Sequence, residues 1–369
     1  MNAAPPAGPR PWLASDRQCL LILLLVAAAL WLPRLRGPID LRYDGGAYYV
    51  LGTSLAEGRG YRLLNEPGEI EAIQYPPLLP LLVAAHQWAL GSDDPVPVGE
   101  WLRLCYMLLS VACTLATYAL CRELLPARHA LLATLFSSLA VYTYFLSDLC
   151  FAETPFTLTT TLFVIAVRRP GRLALVLQAV LAAASFLLRT LGIALLFAWV
   201  GESLLARRYR QAATRAAVAL VPVLLWQGYI QEVRSGPEYQ AQSYAYQRAD
   251  YQYYNVGYFE NLSYIDPFAP ELGKASSADW ARRLGTNLLR MPAAWGEAVS
   301  SRAEWSTSQI QRLNHSRSLA IPTWLVQVPL LALGVLISWG LFLLALRGET
   351  LIPLYVAGSV AIMARHLLS

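Results

Sequence analysis

The chain has 369 residues, of which 56% are hydrophobic and only 14% are charged, with a mean hydropathy of +0.41. This composition excludes an ordinary soluble globular protein and is typical of a protein with several membrane spans. The net charge of +5 does not indicate nucleic-acid binding, because the arginines lie in short loops between apolar runs. The five cysteines lie in or beside apolar runs without a CxxC pair, which predicts small buried side chains.

Apolar runs follow a short Pro- and Ala-rich N-terminal tail. The first run, 19–33, ends in Trp31, Pro33 and Arg34 where a signal peptide would have a small-residue cleavage site, so we expect a retained span. A charge-rich loop and the short run 77–90 come next. The later runs have lengths that suit a bilayer core. They are 101–121, 129–147, 152–167, 173–188, 191–206, 214–232, 321–346 and 350–366.

The short run 77–90 decides the topology. If it crossed the membrane, the arginine-rich loops 168–172 and 206–215 would lie outside, against the positive-inside rule. An interfacial or re-entrant helix on the outer surface instead places these arginines in the cytoplasm. The sequence therefore predicts an all-α polytopic membrane protein with about nine transmembrane helices and a cytoplasmic N-terminus.

Three parts follow from this topology. A transmembrane module spans 1–232 and includes a first outer loop, 34–100, with juxtamembrane helices. A larger outer loop, 233–320, is rich in tyrosine and then amphipathic, which indicates helices on the membrane surface. Its tyrosines suit either sugar stacking or an aromatic belt. The C-terminal transmembrane helices occupy 321–369.

Three carboxylates lie at the predicted outer ends of spans. Asp44 precedes two glycines in the first outer loop, and Asp148 and Glu153 lie between two apolar runs. A carboxylate so close to hydrocarbon is costly unless it faces a polar cavity or a partner, so these residues are candidates for function. The alternative is a solvated interface charge, and Glu153 could also simply favour the start of its helix.

The order of four motifs carries a resemblance to a known family. The stretches YDGGAYYVLGTSLAEGRGY, YPPLLPLL, FLSDLCFAETPF and LLRTLGIALL follow one another from the first outer loop onward. They resemble the type C membrane glycosyltransferases, in particular the superfamily of dolichyl-phosphate-mannose protein mannosyltransferases and aminoarabinose transferases. The resemblance implies the type C glycosyltransferase fold. It also implies the transfer of a sugar from a polyprenyl-phosphate donor. The acceptor would be a hydroxyl or amine of a lipid, glycan or protein at the outer face of the inner membrane.

The resemblance also implies roles for individual residues. Asp44 matches the first-loop carboxylate that acts as general base or orients the acceptor. Either Asp148 or Glu153 matches the second acidic residue, and the sequence fits both readings. Arg189 matches the arginine turn and is placed to bind the donor phosphate, with Arg62 as a weaker candidate.

Tyrosines and a metal ion complete these expectations. Tyr48, Tyr49 and Tyr75 are predicted to bind substrate, and Tyr75 stands where many relatives have Lys or His before the Pro-Pro pair. The sequence has no cluster with metal-ligand spacing. A single divalent cation, Mg²⁺ or Mn²⁺, between Asp44 and Asp148 is left open.

Two other functions stay open. In a transporter or flippase, the carboxylates and an arginine would couple ions, although we find no internal repeat and the acidic residues lie at the outer face. In an inactive family member, the protein would serve as an assembly partner. Arg365 and His366 match the start of a segment that continues in relatives, which favours a shortened member.

Overall fold

The structure is a computed structural model that describes residues 14–240, 260, 263–266, 269–317 and 320–363. Within these ranges the chain forms helices and three isolated bridges, and no strand. The predicted all-α class is therefore confirmed. Most of the Tyr-rich stretch, as well as Arg365 and His366, lies outside the described residues, so the predictions made for them stay predictions.

The α-helices of the described ranges are named α1 to α15 in chain order. They are α1 (Ala14–Trp31), α2 (Asp44–Ala56), α3 (Leu78–Leu90), α4 (Pro95–Leu124), α5 (Ala127–Ser138), α6 (Val141–Leu146), α7 (Glu153–Val167), α8 (Arg172–Leu188), α9 (Ile193–Leu205), α10 (Tyr209–Ser235), α11 (Pro237–Gln240), α12 (Ser277–Ala298), α13 (Ala303–Arg317), α14 (Gln327–Leu346) and α15 (Leu351–Met363).

Among the described residues, four helical segments are long and apolar enough to cross a membrane. They are Ser15–Arg34, Pro95–Leu124, Tyr209–Ser235 and Thr323–Leu346. Helices α3, α7, α8, α15 and the segment Thr190–Leu205 are apolar but shorter. The chain is thus a multi-pass membrane protein, while the count of about nine spans stays a prediction.

The first outer loop begins and ends at the same end of the bundle. Asp16, near the start of α1, pairs with Arg122, near the end of α4, so the two helices run antiparallel. At the opposite end, Arg103 donates to the carbonyls of Arg34 and Pro38. Helix α3 has 13 residues, about 20 Å, and is shorter than a bilayer core. Both the common end of the loop and the short length of α3 agree with a helix that does not cross the membrane.

The apolar run 129–147 was expected to be one span, and the structure does not form it as one continuous helix. The structure divides it into α5 and the short α6, separated by Leu139 and Ala140. Ala140 has non-helical backbone angles, φ −58° and ψ 135°, and the amide of Val141 donates to the carbonyl of Ser300 at 3.0 Å. A hydrogen bond to the large outer loop thus takes the place of a helical one.

The helical part of that loop packs tightly on a span. A Cβ added to Gly296 of α12 would overlap the carbonyl oxygen of Leu330, and one added to Gly334 of α14 would overlap that of Pro292. Only glycine permits two helices to approach so closely. Helix α12 is therefore docked on α14.

One buried cluster gathers the helix ends that carry the predicted site residues. It joins side chains of α2, α3, α4, α7 and α8 with the turn 147–152. Its members include Tyr48, Tyr106, Cys150, Phe156 and Leu188. Asp44, Glu153 and Arg189 are therefore attached to a common core.

Candidate active site

Asp44 is the first residue of α2, and its carboxylate is exposed. It follows Tyr43, which has φ +56° and ψ −132°. This conformation is rare for an aromatic residue and costs about 1–3 kcal/mol, so the surroundings must hold it in place. Part of that support comes from Gly45, whose added Cβ would lie 3.4 Å from the Asp40 carbonyl oxygen and 3.5 Å from that of Cys150. The start of α2 is fixed against the turn 147–152.

Two tyrosines stand beside the Asp44 carboxylate. The Tyr75 hydroxyl donates to Oδ1 of Asp44 at 3.1 Å, and its ring meets the ring of Tyr48 edge-on with 4.9 Å between centroids. The carbonyl of Tyr75 in turn accepts from the Tyr61 hydroxyl at 2.8 Å. Burial raises the pKa of the Tyr48 hydroxyl, so Tyr48 stays neutral at physiological pH. The contacts of Tyr75 orient the carboxylate.

Tyr49 has a different environment. It is buried, and its hydroxyl donates to the carbonyl of Asp93 at 2.8 Å. This bond ties α2 to the connection between α3 and α4. Its predicted substrate contact stays a prediction, and the described hydroxyl is occupied by a main-chain acceptor.

Asp148 is held by two arginines. Its Oδ2 lies 3.0 Å from Nη2 of Arg34, and its Oδ1 lies 3.3 Å from Nη1 of Arg103. The Arg34 guanidinium also stacks 4.0 Å above the ring of Tyr144. The Asp148 carbonyl accepts from the Asp40 amide at 3.1 Å, beside the parallel bridge between Asp40 and Leu149. Asp148 therefore joins the end of α1, the start of α4 and the turn 147–152.

These contacts do not fit a divalent cation between Asp44 and Asp148. Both Asp148 oxygens face guanidinium groups, so a metal ion would have to lie beside two positive charges. In the described part of the chain, no group of three His, Cys, Asp or Glu side chains could hold a metal ion.

Glu153 and Arg189 form a direct ion pair between Oε1 and Nη1. Glu153 begins α7, and Arg189 follows the last residue of α8. The two side chains are 31% and 37% exposed, so solvent reaches the pair. Asp148 and Glu153, which the sequence left as alternatives, thus have separate arginine partners.

Tyr48 links the two sides of this site through packing. Its ring contacts that of Tyr75, whose hydroxyl donates to Asp44. Leu188, the neighbour of Arg189, belongs to the same buried cluster as Tyr48. The structure therefore brings Asp44, Tyr48, Tyr75, Glu153 and Arg189 together at one end of the bundle.

Arg62 belongs to another cluster. Its guanidinium lies 3.6 Å from a carboxylate oxygen of Glu71 and 3.2 Å from one of Glu238, and it donates to the carbonyl of Glu69 at 2.9 Å. It thereby joins the first outer loop to α11. Its predicted contact with the donor phosphate stays a prediction.

Sequence reasoning did not single out Arg34 and Arg103 as site residues. Arg103 was the detectable one, because a charged residue within the apolar run 101–121 needs a partner near the membrane. Arg34 stands just beyond a span, where an arginine is common.

No family model matches the chain, and no curated protein matches it. Among solved structures, the chain is similar to the crystal structure of ArnT from Cupriavidus metallidurans bound to undecaprenyl phosphate. The two share 16% identity with a TM-score of 0.45, over 95% of this chain and 77% of that chain. So distant a likeness transfers no residue roles, which rest on the geometry of this chain.

Proposed function

We propose that the protein is a type C membrane glycosyltransferase. It transfers a sugar from a polyprenyl-phosphate donor to a hydroxyl or amine of a lipid, glycan or protein acceptor. The observation that carries this proposal is that an exposed carboxylate, Asp44, begins α2 and a cation, Arg189, follows α8, while side chains of both helices share one buried cluster. The order of the four sequence motifs supports the same assignment.

The chemistry assigns one role to each charge. The oxygen or nitrogen of the acceptor attacks the anomeric carbon of the donor sugar, and Asp44 takes the proton that this atom loses. The bond between that carbon and the phosphate oxygen breaks, and the leaving polyprenyl phosphate keeps the electron pair. Arg189 stabilises the negative charge that develops on this phosphate. Direct displacement inverts the anomeric configuration.

Asp148 acts at a distance from this step in our proposal. Its two arginines hold the turn 147–152, against which Gly45 and the start of α2 are packed. It is therefore a positioning residue for Asp44. Tyr75 is a second one, through its hydrogen bond to the carboxylate.

The proposal also includes the location. A polyprenyl donor keeps its chain in the bilayer and its phosphate at the surface, where Asp44 and Arg189 would meet it. Arg168 lies in the loop after α7, and Arg207 and Arg208 lie in the loop between α9 and α10, at the other ends of the spans. With these arginines in the cytoplasm, the N-terminus is cytoplasmic and the site lies at the outer face of the inner membrane.

The test is release of polyprenyl phosphate from radiolabelled donors that carry mannose, aminoarabinose or other hexoses and pentoses. Membranes with equal amounts of the wild-type chain, Asp44→Asn or Glu57→Gln are compared. We expect Asp44→Asn to lower the release rate by about 10²- to 10⁴-fold. Glu57→Gln changes a carboxylate at the other end of α2 and should retain the rate.

Two results would contradict the proposal. One is equal release by wild type and Asp44→Asn. The other is no release from any donor by folded wild-type protein, which favours an inactive member. Movement of the intact lipid-linked sugar between leaflets, without release, would favour a flippase.

A further inference from the structure

The ion pair of Glu153 and Arg189 differs from the other ion pairs that brace this end of the bundle. Glu153 has one cation partner in the described part of the chain, and both side chains are partly open to solvent. Asp148 instead has two arginine partners, which are only 17% and 16% exposed. A solvent-exposed ion pair contributes little to stability and can exchange its partner.

The main chain fixes Arg189 more firmly than the pair does. The Arg189 amide donates to the Ser185 carbonyl at 3.1 Å, and the Gly192 amide donates to the Arg189 carbonyl at 2.8 Å. A Cβ on Gly192 would lie 2.6 Å from the Ser185 carbonyl, so the hairpin closes tightly on the end of α8. Arg189 therefore stays in place when its partner changes.

Glu153 has a second favourable position for its charge. It is the first residue of α7, a helix of 15 residues, and unpaired amides at a helix N-terminus favour an anion. The carboxylate can thus leave Arg189 without becoming an isolated charge.

We infer that Glu153 occupies the place of the donor phosphate on Arg189 and competes with it. The inference rests on the proposed function. Carboxylate and phosphate oxygens accept the same charge-assisted hydrogen bonds from a guanidinium, and two anions at one Nη1 repel each other. Glu153 keeps Arg189 directed at the site in the absence of donor, and it is displaced when donor binds.

This competition acts most strongly on the product. The donor is a phosphodiester, whereas the released polyprenyl phosphate is a monoester with more negative charge. Arg189 alone would retain the product. The returning Glu153 carboxylate promotes its release, so Glu153 influences turnover without contact with the reacting atoms.

Binding of farnesyl phosphate to the purified full-length chain tests this inference without catalysis. We expect Glu153→Gln to bind it about three- to fivefold more tightly than wild type, and Arg189→Gln to bind it more weakly. In the double variant with Arg189→Gln, Glu153→Gln should give no gain in affinity, because the guanidinium for which Glu153 and the phosphate compete is absent. A general packing defect would not produce this pattern.

Controls separate the sources of an effect. Glu57→Gln removes one negative charge from the same end of the bundle and should leave the affinity unchanged. Inorganic phosphate should compete weakly and farnesol should not compete, if the probe binds through its phosphate at a lipid site. Thermal unfolding checks each variant, and Glu153→Asp, which withdraws the carboxylate by one methylene, should give a smaller gain.

The outcomes are distinct. Equal or weaker binding by both Glu153 variants, or a gain that persists in the double variant, would overturn the inference while the proposed function stands. Failure of wild type to bind farnesyl phosphate would overturn both. In steady state, Glu153→Gln should lower kcat and KM together, as slow product release requires.

Discussion

Both ends of the helix bundle contain ion pairs between carboxylates and arginines, but these pairs differ in how far they are exposed to solvent. At the end that we call closed, Asp16 is fully buried and its partner Arg122 is 8% exposed. The Glu123 carboxylate is also 8% exposed, while its partners Arg168 and Arg169 are 16% and 39% exposed. At the end that we call open, which holds Asp44, Asp148, Glu153 and Arg189, the carboxylates are about a third exposed or more.

The difference separates two uses of one interaction. A buried pair cannot exchange with a ligand, but it specifies which helix ends meet, because a lone buried charge is very costly. An open pair adds little stability and leaves its charges accessible. The closed end therefore sets the arrangement of the spans, and the open end can bind ions.

The largest expected effect on stability comes from breaking the closed end. Asp16→Asn leaves the buried Arg122 guanidinium without its anion and should lower the free energy of unfolding by about 3 kcal/mol. Thermal or denaturant unfolding in detergent measures this change. The double variant Asp16→Leu with Arg122→Met removes both charges and should recover most of the loss. If Asp16→Asn kept the stability of the wild type, the pair of Asp16 and Arg122 would not be buried from solvent.

A smaller loss is expected at Asp148. Asp148→Asn weakens contacts to Arg34 and Arg103, but solvent screens the carboxylate, so we expect about 1–2 kcal/mol. Glu153→Gln, which disturbs a single open pair, is the matched comparison and should change stability less. Equal losses in the same unfolding assay would remove the distinction that we draw between the two carboxylates.

Tyr75→Phe should affect rate rather than stability. It deletes the hydroxyl that holds Asp44 but keeps the ring that packs on Tyr48, so we expect kcat to fall roughly threefold to tenfold. Tyr49→Phe is the control, because it loses a bond to the Asp93 carbonyl and should lower stability while kcat is retained. The reverse pattern would assign the orienting role to Tyr49.

The smallest effect is expected from Arg59. Its guanidinium pairs with Glu57 and Glu69 on the exposed surface of the first outer loop. Exposed pairs contribute little, so Arg59→Gln should leave the unfolding temperature and sugar release unchanged. A clear loss would show that the open end depends on surface charges.

Much of the fold was accessible from sequence because apolar run length and the positions of arginines reflect the bilayer directly. Helices α2 and α3 lie in the loop that was predicted to contain juxtamembrane helices. The break between α5 and α6 was not accessible. It depends on a hydrogen bond from Val141 to Ser300, and no Gly or Pro marks the break within 138–141.

The residues of the candidate site could be identified from the sequence, but their contacts could not. Asp44, Glu153 and Arg189 stood out because charges at the ends of spans are costly. Their partners did not stand out, since Arg62 meets Glu238 across 176 positions and Arg34 meets Asp148 from a distant part of the chain. Pairing of this kind is set by how helices pack, and a single sequence does not record it.

The pair of Asp16 and Arg122 also orders events during synthesis. The two residues are 106 positions apart, so at about 5–20 residues per second the carboxylate waits roughly 5–20 s for its cation. During that interval α1 has no α4 to pack against in the bilayer. A ribosome that stalls before Arg122 leaves Asp16 without the guanidinium that neutralises it in the folded protein.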